Sequence, residues 1–303
     1  MNKGIIVFFL IFGIVFSGTG CSFRKPYVQV DYAKDLTQSG LKAYQQGDFY
    51  RALRLFDKAL TVYRRLDHGN GIIENLNAMG RIYLDAGQLE TAHTFFQEAY
   101  RRLDQITPPS LALTTLNYLA QITVLTMSPE QAFSYLDQAQ TLLDAHPDAA
   151  QQALLLNTRG FVLKYAGQIE AATVCYQQAL EINKKHHYPA GVATNLSNLG
   201  LVALEQNRYP AATNYFQQAL EWDRKLENSR GIGLDLRYLG DVESAQQQWQ
   251  AAASYYERSL NLHIALGLTH QVETDLRRLY AVYQQQGDNV RAEQIKTQLD
   301  QLK

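Results

Sequence analysis

Cysteine and histidine are the side chains of this sequence that could act as nucleophiles or metal ligands. The two cysteines, Cys21 and Cys175, are too few for a four-thiolate zinc site or a disulfide framework. Five of the seven histidines fall in predicted connectors: His68, His146, His186, His187 and His270. No histidine–carboxylate spacing repeats, and a metal site needs ligands that converge. We therefore predict no metal site, and we interpret Cys175 as a small packed side chain.

The sequence also lacks the glycine-rich phosphate-binding motifs and the serine and zinc motifs of hydrolases. This argues against an enzyme, and we expect no catalytic residue, no cofactor and no small-molecule substrate. The formal charge of −1 provides no general field for gathering nucleic acid. With 46% hydrophobic residues, the chain has enough apolar surface to bury a large core.

One series of polar side chains recurs every 40 residues and offers hydrogen-bonding chemistry. Its members are Thr37, Asn77, Asn117, Asn157, Ser197, Arg237 and Arg277. An asparagine amide carries both donors and an acceptor, so a ladder of amides can pair with the backbone of an extended peptide. The arginines could hold a carboxylate or an acidic segment. Alternatively, the same amides bond to adjacent helices and order the stack, and the sequence leaves both interpretations open.

The elements that position this series repeat with the same 40-residue spacing. Leucine recurs at Leu36, Leu76, Leu116, Leu156, Leu196, Leu236 and Leu276, and alanine at Ala52, Ala92, Ala132, Ala172, Ala212, Ala252 and Ala292. Between them lie the small residues Gly40, Gly80, Ala120, Gly160, Gly200 and Gly240, and after each alanine comes a large side chain: Phe56, Phe96, Leu136, Tyr176, Phe216 or Tyr256. The helical spacing within each copy predicts two helices joined by a turn.

This pattern resembles the tetratricopeptide repeat, as in Leu196-x-x-Leu199-Gly200 followed by Ala212-x-x-x-Phe216. The resemblance implies an all-α fold, a right-handed solenoid of about seven helix-turn-helix repeats spanning residues 33–303. The repeats start near residues 33, 73, 113, 153, 193, 233 and 273. The copies are longer than is usual in that family, and we expect the additional residues to lengthen the second helix of each repeat.

In tetratricopeptide folds the first helices line the concave face, which the resemblance implies is a groove for a protein or peptide partner. The residues that would point into it are Asn77, Arg81, Asn117, Gln121, Asn157, Phe161, Leu201, Arg237 and Arg277. The chain is accordingly predicted to be a non-enzymatic scaffold for protein partners. The alternative is a peptidoglycan or carbohydrate binding module, suggested by the 19 tyrosines.

The N-terminus has the layout of an export signal. Lys3 precedes an apolar run over residues 5–16, and small residues separate this run from Cys21. The junction resembles the lipobox of bacterial lipoproteins, which implies a signal peptide over residues 1–20, a lipidated Cys21 and a tether over residues 21–32. Cleavage by ordinary signal peptidase and a retained anchor are the alternatives. Lipidation would place the folded part at a membrane, by resemblance the outer membrane facing the periplasm.

Overall fold

The computed structural model describes residues 26–302, and every regular element within that range is an α-helix. The helices are α1 (Pro26–Gln45), α2 (Phe49–Arg65), α3 (Gly69–Asp85), α4 (Leu89–Tyr100), α5 (Pro109–Thr126), α6 (Pro129–Ala145), α7 (Ala149–Tyr165), α8 (Ile169–Lys185), α9 (Pro189–Glu205), α10 (Tyr209–Lys225), α11 (Ser229–Ala245), α12 (Trp249–Ala265), α13 (Thr269–Gln286) and α14 (Asn289–Gln301). None of them combines the length and apolar character needed to cross a bilayer.

Consecutive helices pair into helix-turn-helix repeats, from α1 with α2 to α13 with α14, and each repeat packs on the next. The first helices of neighbouring repeats also touch one another, as α3 with α5 and α5 with α7 do. Helices on the inside of a curved stack approach each other most closely, so the odd-numbered helices lie on the concave side. The predicted all-α solenoid is confirmed.

The first six repeats are each held together by a small residue packed against a large side chain. A Cβ added to Gly80 would lie 2.6 Å from Phe96 Cε1, and one added to Gly160 would lie 2.7 Å from the Tyr176 ring. These distances are shorter than van der Waals contact, so the ring occupies the space that a side chain would need. In the third repeat the glycine position carries Ala120 and the ring position carries Leu136, and both are fully buried. The smaller leucine leaves room for the methyl group of the alanine.

Polar side chains cap the first turn of several helices. Asp48 accepts a hydrogen bond from the backbone N–H of Arg51 at 3.0 Å at the start of α2, and Ser128 plays this part for α6, with Pro129 as its first residue. Asn207 lies in the turn before α10 with a φ of 58°, in the left-handed region that asparagine tolerates.

Two sequence-based boundaries are corrected. Helix α1 begins at Pro26, so residues 26–32 are helical and not part of a tether, because Val30 packs against the core of the first repeat. Residues 1–25, which include Cys21, lie outside the described residues. Second helices are lengthened as expected, for example α10, but α4 ends at Tyr100. There the Asp104 carboxylate accepts from the Thr107 hydroxyl at 2.7 Å, which favours a turn over a further helical turn.

Replacing Gly80 with alanine tests the packing of small residue against ring. We expect a loss of about 1–3 kcal/mol in the free energy of unfolding, because the new methyl group must displace the Phe96 ring. Gly69→Ala at the start of the same helix is the control, since no atom lies within 4 Å of its added Cβ. Urea unfolding followed by circular dichroism measures both. Equal stability of the two variants would contradict this account.

Candidate functional site

The concave side contains three cavities that share Arg81 in their walls. A cavity of about 390 Å³ lies against α1, α3 and α5, and another of about 280 Å³ lies against α9 and α11 and includes Leu201. The third, of about 450 Å³, is bounded by the first repeat and by the connectors that precede α11 and α13. The curvature of the solenoid therefore brings Arg81 of the second repeat close to the fifth and sixth repeats.

The polar series predicted to bind a partner forms hydrogen bonds between neighbouring repeats. Each bond joins two side chains that are 38 residues apart. The bond is missing only where the second position carries an apolar residue. The bonds are Asn75 Nδ2 to Thr37 Oγ1 (3.0 Å), Asn77 Nδ2 to Thr115 Oγ1 (2.8 Å), Asn195 Nδ2 to Asn157 Oδ1 (2.8 Å), Ser197 Oγ to Asp235 Oδ1 (2.7 Å) and Arg237 Nε to Asp275 Oδ1 (2.5 Å). The amides thus connect adjacent repeats, as the alternative interpretation expected.

Three members of the series that is predicted to bind a partner have little accessible surface. Asn77, Asn117 and Arg237 are only 4%, 2% and 4% exposed, respectively. The residue 38 positions after Asn117 is Leu155, which cannot bond, and the Asn117 amide donates instead to Leu113 O of its own helix at 3.0 Å. Asn77 and Arg237 thus join neighbouring repeats, whereas Asn117 bonds only within its own helix, and Asn77 still lines the 390 Å³ cavity.

Asn157 and Gln121 are half-buried and also join repeats. Asn157 Oδ1 accepts a second bond, from Asn198 Nδ2 at 2.8 Å, and Gln121 Nε2 donates to Thr158 Oγ1 at 3.3 Å. Their amides are therefore already engaged in bonds across the α7–α9 and α5–α7 contacts, and only part of each side chain faces the interior.

The remaining predicted residues separate into two groups. Arg81 is exposed, its guanidinium lies over the Tyr44 ring at 5.1 Å, and within residues 26–302 it forms no ion pair. Leu201 is half-buried in the wall of the 280 Å³ cavity. Phe161 packs on Tyr165 with ring centroids 4.7 Å apart, and Arg277 pairs with Glu273 of its own helix. The structure thus brings Arg81 and Leu201 to the joined cavities and leaves Phe161 and Arg277 elsewhere.

Arg237 belongs to a buried polar cluster between the sixth and seventh repeats. Asp275 accepts from Arg237, and its other oxygen lies 2.6 Å from His263 Nδ1. Ser259 Oγ also approaches His263 Nδ1, at 3.3 Å, and donates to Asp275 at 3.0 Å. In a hydrolytic triad the serine and the carboxylate occupy opposite ring nitrogens. Here they share one, and Ser259, His263 and Asp275 are fully buried, so this cluster is closed to a substrate.

Two buried carboxyl groups meet at the wall of the 280 Å³ cavity. Asp223 is 5% exposed and accepts from Asn228 Nδ2 at 2.9 Å, while Asp235, 1% exposed, accepts from Ser197. Burial, and then the neighbouring Asp223, raise the pKa of Asp235 to about 8, and burial raises the pKa of Asp223. Two carboxylates cannot both ionise at such a site, so the pair holds a proton near neutral pH.

Several interior residues escaped the sequence analysis. Asp223 and His263 occupy the same repeat position as Asn183. The second and third copies have leucine at this position, so the change to polar residues in later copies could have indicated a buried polar site. Tyr44, Asp85 and Arg230 meet across the interior although Arg230 is 145 residues from Asp85. No local pattern indicates that contact, because it depends on the curvature accumulated over several repeats.

The carboxyl pair predicts a pH-dependent stability. The raised pKa of Asp235 means that the native state keeps a proton that the unfolded chain releases, so stability falls as pH rises from about 4 to about 8. Asp235→Asn should therefore gain at least about 1 kcal/mol on the parent between about pH 5 and pH 8. Unfolding in urea at several pH values measures this, with the exposed Asp57→Asn as control. Parallel pH profiles for parent and Asp235→Asn would refute it.

Sequence comparisons place repeats along the chain. Profiles of the tetratricopeptide repeat match residues 37–105, 153–186 and 192–221. No curated protein sequence matches this chain.

Solved structures share the fold at low sequence identity. A Rap protein in complex with competence and sporulation factor is 13% identical, with a TM-score of 0.68 over 91% of this chain and 77% of that one. A signal transduction ATPase with a tetratricopeptide repeat sensor from Pyrococcus horikoshii is 15% identical, with a TM-score of 0.62 over 91% of this chain. This chain spans 42% of that ATPase.

A kinesin light chain repeat protein from Podosopora anserina is 16% identical, with a TM-score of 0.51 over 64% of this chain and 95% of that one. These structures agree with the profiles in the repeated helix pair and in the curved stack that the pairs build. The matched residues of this chain are tetratricopeptide repeats, and its helix pairs within residues 26–302 stack as in a tetratricopeptide-repeat protein.

Proposed function

We propose that this protein is an interaction scaffold that binds an extended segment of a partner protein in its concave interior. The observation that carries the proposal is the set of three joined cavities around Arg81, which forms no ion pair in the described part of the chain. Two buried oxygens in the cavity walls, Asn77 Oδ1 and Asp235 Oδ2, also have no hydrogen-bond partner within residues 26–302. Arg81 is thus the group best placed to accept a new partner.

The walls of the cavities provide both kinds of contact that peptide recognition uses. Tyr44, Tyr118 and Leu201 supply half-buried apolar surface, and Arg81 supplies donors for a backbone carbonyl or an acidic side chain. The Rap protein of similar fold was crystallised with competence and sporulation factor. That likeness supports a protein-binding role for this type of solenoid.

The finer proposal is that the scaffold works at the bacterial cell envelope and assists assembly or regulation of a complex there. It rests on the sequence alone: the apolar run over residues 5–16 and the small residues before Cys21. A lipid on Cys21 would tether the solenoid to the membrane, since each buried CH₂ contributes about 0.8 kcal/mol.

The alternative of a carbohydrate-binding module draws less support from the tyrosines than their number suggests. Tyrosines such as Tyr63, Tyr176 and Tyr256 are at most 2% exposed and fill the cores of repeats. They are therefore not available to stack on a sugar ring.

Arg81→Ala tests the binding interior. Full-length parent and variant are used to capture proteins from detergent-solubilised membranes, and each co-purifying protein is quantified. We expect the variant to recover the specific partner at least about tenfold less, because a charged anchor in a cavity is lost. Arg54→Ala is the matched control, since Arg54 also lies over a tyrosine ring, at 5.8 Å from Tyr50, but on α2 outside the cavities. Equal recovery by Arg81→Ala and Arg54→Ala would overturn the proposal.

Cys21→Ser tests the anchor separately. In a Gram-negative host the parent should partition into the detergent phase of a Triton extract, whereas the variant should remain in the aqueous phase, because it cannot be acylated. If the parent also partitions into the aqueous phase, the chain is exported without a lipid. That result would leave the binding interior unaffected.

A further inference from the structure

The first two repeats of the solenoid touch the sixth repeat and the start of α13. The Arg230 guanidinium, in the first turn of α11, donates to Tyr44 Oη at 2.8 Å and pairs with the Asp85 carboxylate. The Tyr44 hydroxyl in turn donates to Asp85 Oδ2 at 2.5 Å. Tyr44 and Arg230 are 186 residues apart in the sequence. These three side chains join the first two repeats to the sixth.

Backbone also approaches backbone along this contact. A Cβ added to Gly47, in the turn between α1 and α2, would lie 2.2 Å from Leu266 O, which follows α12. A Cβ added to Gly87, in the next such turn, would lie 2.8 Å from the His270 ring. We call the contact formed by Tyr44, Gly47, Asp85 and Gly87 with Arg230, Leu266 and His270 the seam.

Backbone conformation alone does not require glycine at position 47. Its φ is 79°, but Asn207 and Gln247 adopt φ values of 58° and 60° in the corresponding turns of later repeats. Gly167, with a φ of 75°, occupies the same turn position in the fourth repeat and has no atom within 4 Å of an added Cβ. What distinguishes Gly47 is the neighbouring Leu266 carbonyl. Glycine there permits the close approach of two parts of the superhelix.

The seam is chemically satisfied. Asp85 has only 11% of its side chain exposed, and it receives donors from both Tyr44 and Arg230. Burial, together with the adjacent carboxylate, raises the pKa of Tyr44 to about 12, so the phenol remains a donor at neutral pH. Removing the Arg230 cation while the seam stays closed would leave a largely buried carboxylate without that partner, which is costly.

A closed seam changes how a ligand can reach the interior. In an open superhelix an extended chain can enter sideways, between successive turns. Here that path is blocked where the first two repeats meet the connectors that follow the fifth and sixth repeats. The 450 Å³ cavity at this contact is lined by Tyr44 and Phe49 from the first repeat and by Leu226 and Leu268 from the two connectors. Entry is left along the superhelix axis.

We propose that the seam makes the solenoid a closed ring whose ligand is a polypeptide with a free end, threaded along the axis, and not an internal loop of a folded protein. This inference rests on the proposed binding of a peptide segment in the interior. A loop brings two chain strands and folded flanks with it, and these can reach the Arg81 cavities only if the seam opens.

Gly47→Asn opens the seam selectively, and Gly167→Asn is its matched control because both replace a glycine of similar φ with a residue that tolerates this region. Arg230→Gln is a second opening variant, which removes the ion pair while keeping a polar side chain. Spin labels on Gln45→Cys and Glu227→Cys, on opposite sides of the seam cavity, report its state by pulsed EPR. We expect one short distance in the parent and in Gly167→Asn, and a longer, broader distribution in the two opening variants. A broad distribution in the parent would refute the closed ring.

Ligand class is tested with two phage libraries that display the same random peptide, one as a free N-terminus and one as a disulfide-closed loop. Full-length parent and Gly167→Asn should enrich the free-end library at least about tenfold over the loop library. Gly47→Asn and Arg230→Gln should admit loops and enrich both. Equal enrichment of the two libraries by the parent would overturn the free-end proposal. Enrichment of neither by any form would instead reject peptide binding in the interior.

Discussion

Each repeat of this protein has two faces that must be covered, and the contact between one repeat and the next is what the whole structure depends on. Apolar packing at that contact is non-directional and would tolerate a range of angles. The hydrogen bonds between side chains 38 residues apart tolerate only a narrow range of angles, because a donor and an acceptor removed from water must meet in good geometry. Asn157 with Asn195 and Arg237 with Asp275 therefore fix the angle between repeats. Small errors in that angle would add up along the stack.

Recognition and assembly compete for the same surface. The first helices carry both the bonds that order the stack and the residues that face the interior, and a buried amide cannot serve both purposes. The structure separates the tasks: Asn77 and Asn117 are buried, while Arg81, four residues after Asn77 on the same helix, remains exposed. Residues one helical turn apart lie on the same face of a helix. The neighbouring helices cover Asn77 more than Arg81, so the position along the helix decides which of the two residues meets a partner.

The sequence predicted the fold well because its signals are local and repeated. Gly80 and Phe96 lie within one repeat, and their contact follows from helical spacing alone. The role of the asparagines could not be decided, since the amide chemistry that binds a peptide also binds a neighbouring helix. The contact of Asp85 with Arg230 lay beyond any pattern, because it results from many junction angles together. Helix α1 began earlier than expected because Val30 contributes to the core.

Closure at Gly47 and Leu266 also bears on how this chain can vary over evolution. Open solenoids gain or lose whole repeats readily, since every junction is equivalent and none senses the total. In this chain, deletion of one copy from the middle would leave all remaining junctions intact and yet move Leu266 away from Gly47 by one repeat. The contact therefore constrains the number of repeats between these residues, whereas a repeat added at the C-terminal side of the seam would leave the contact in place.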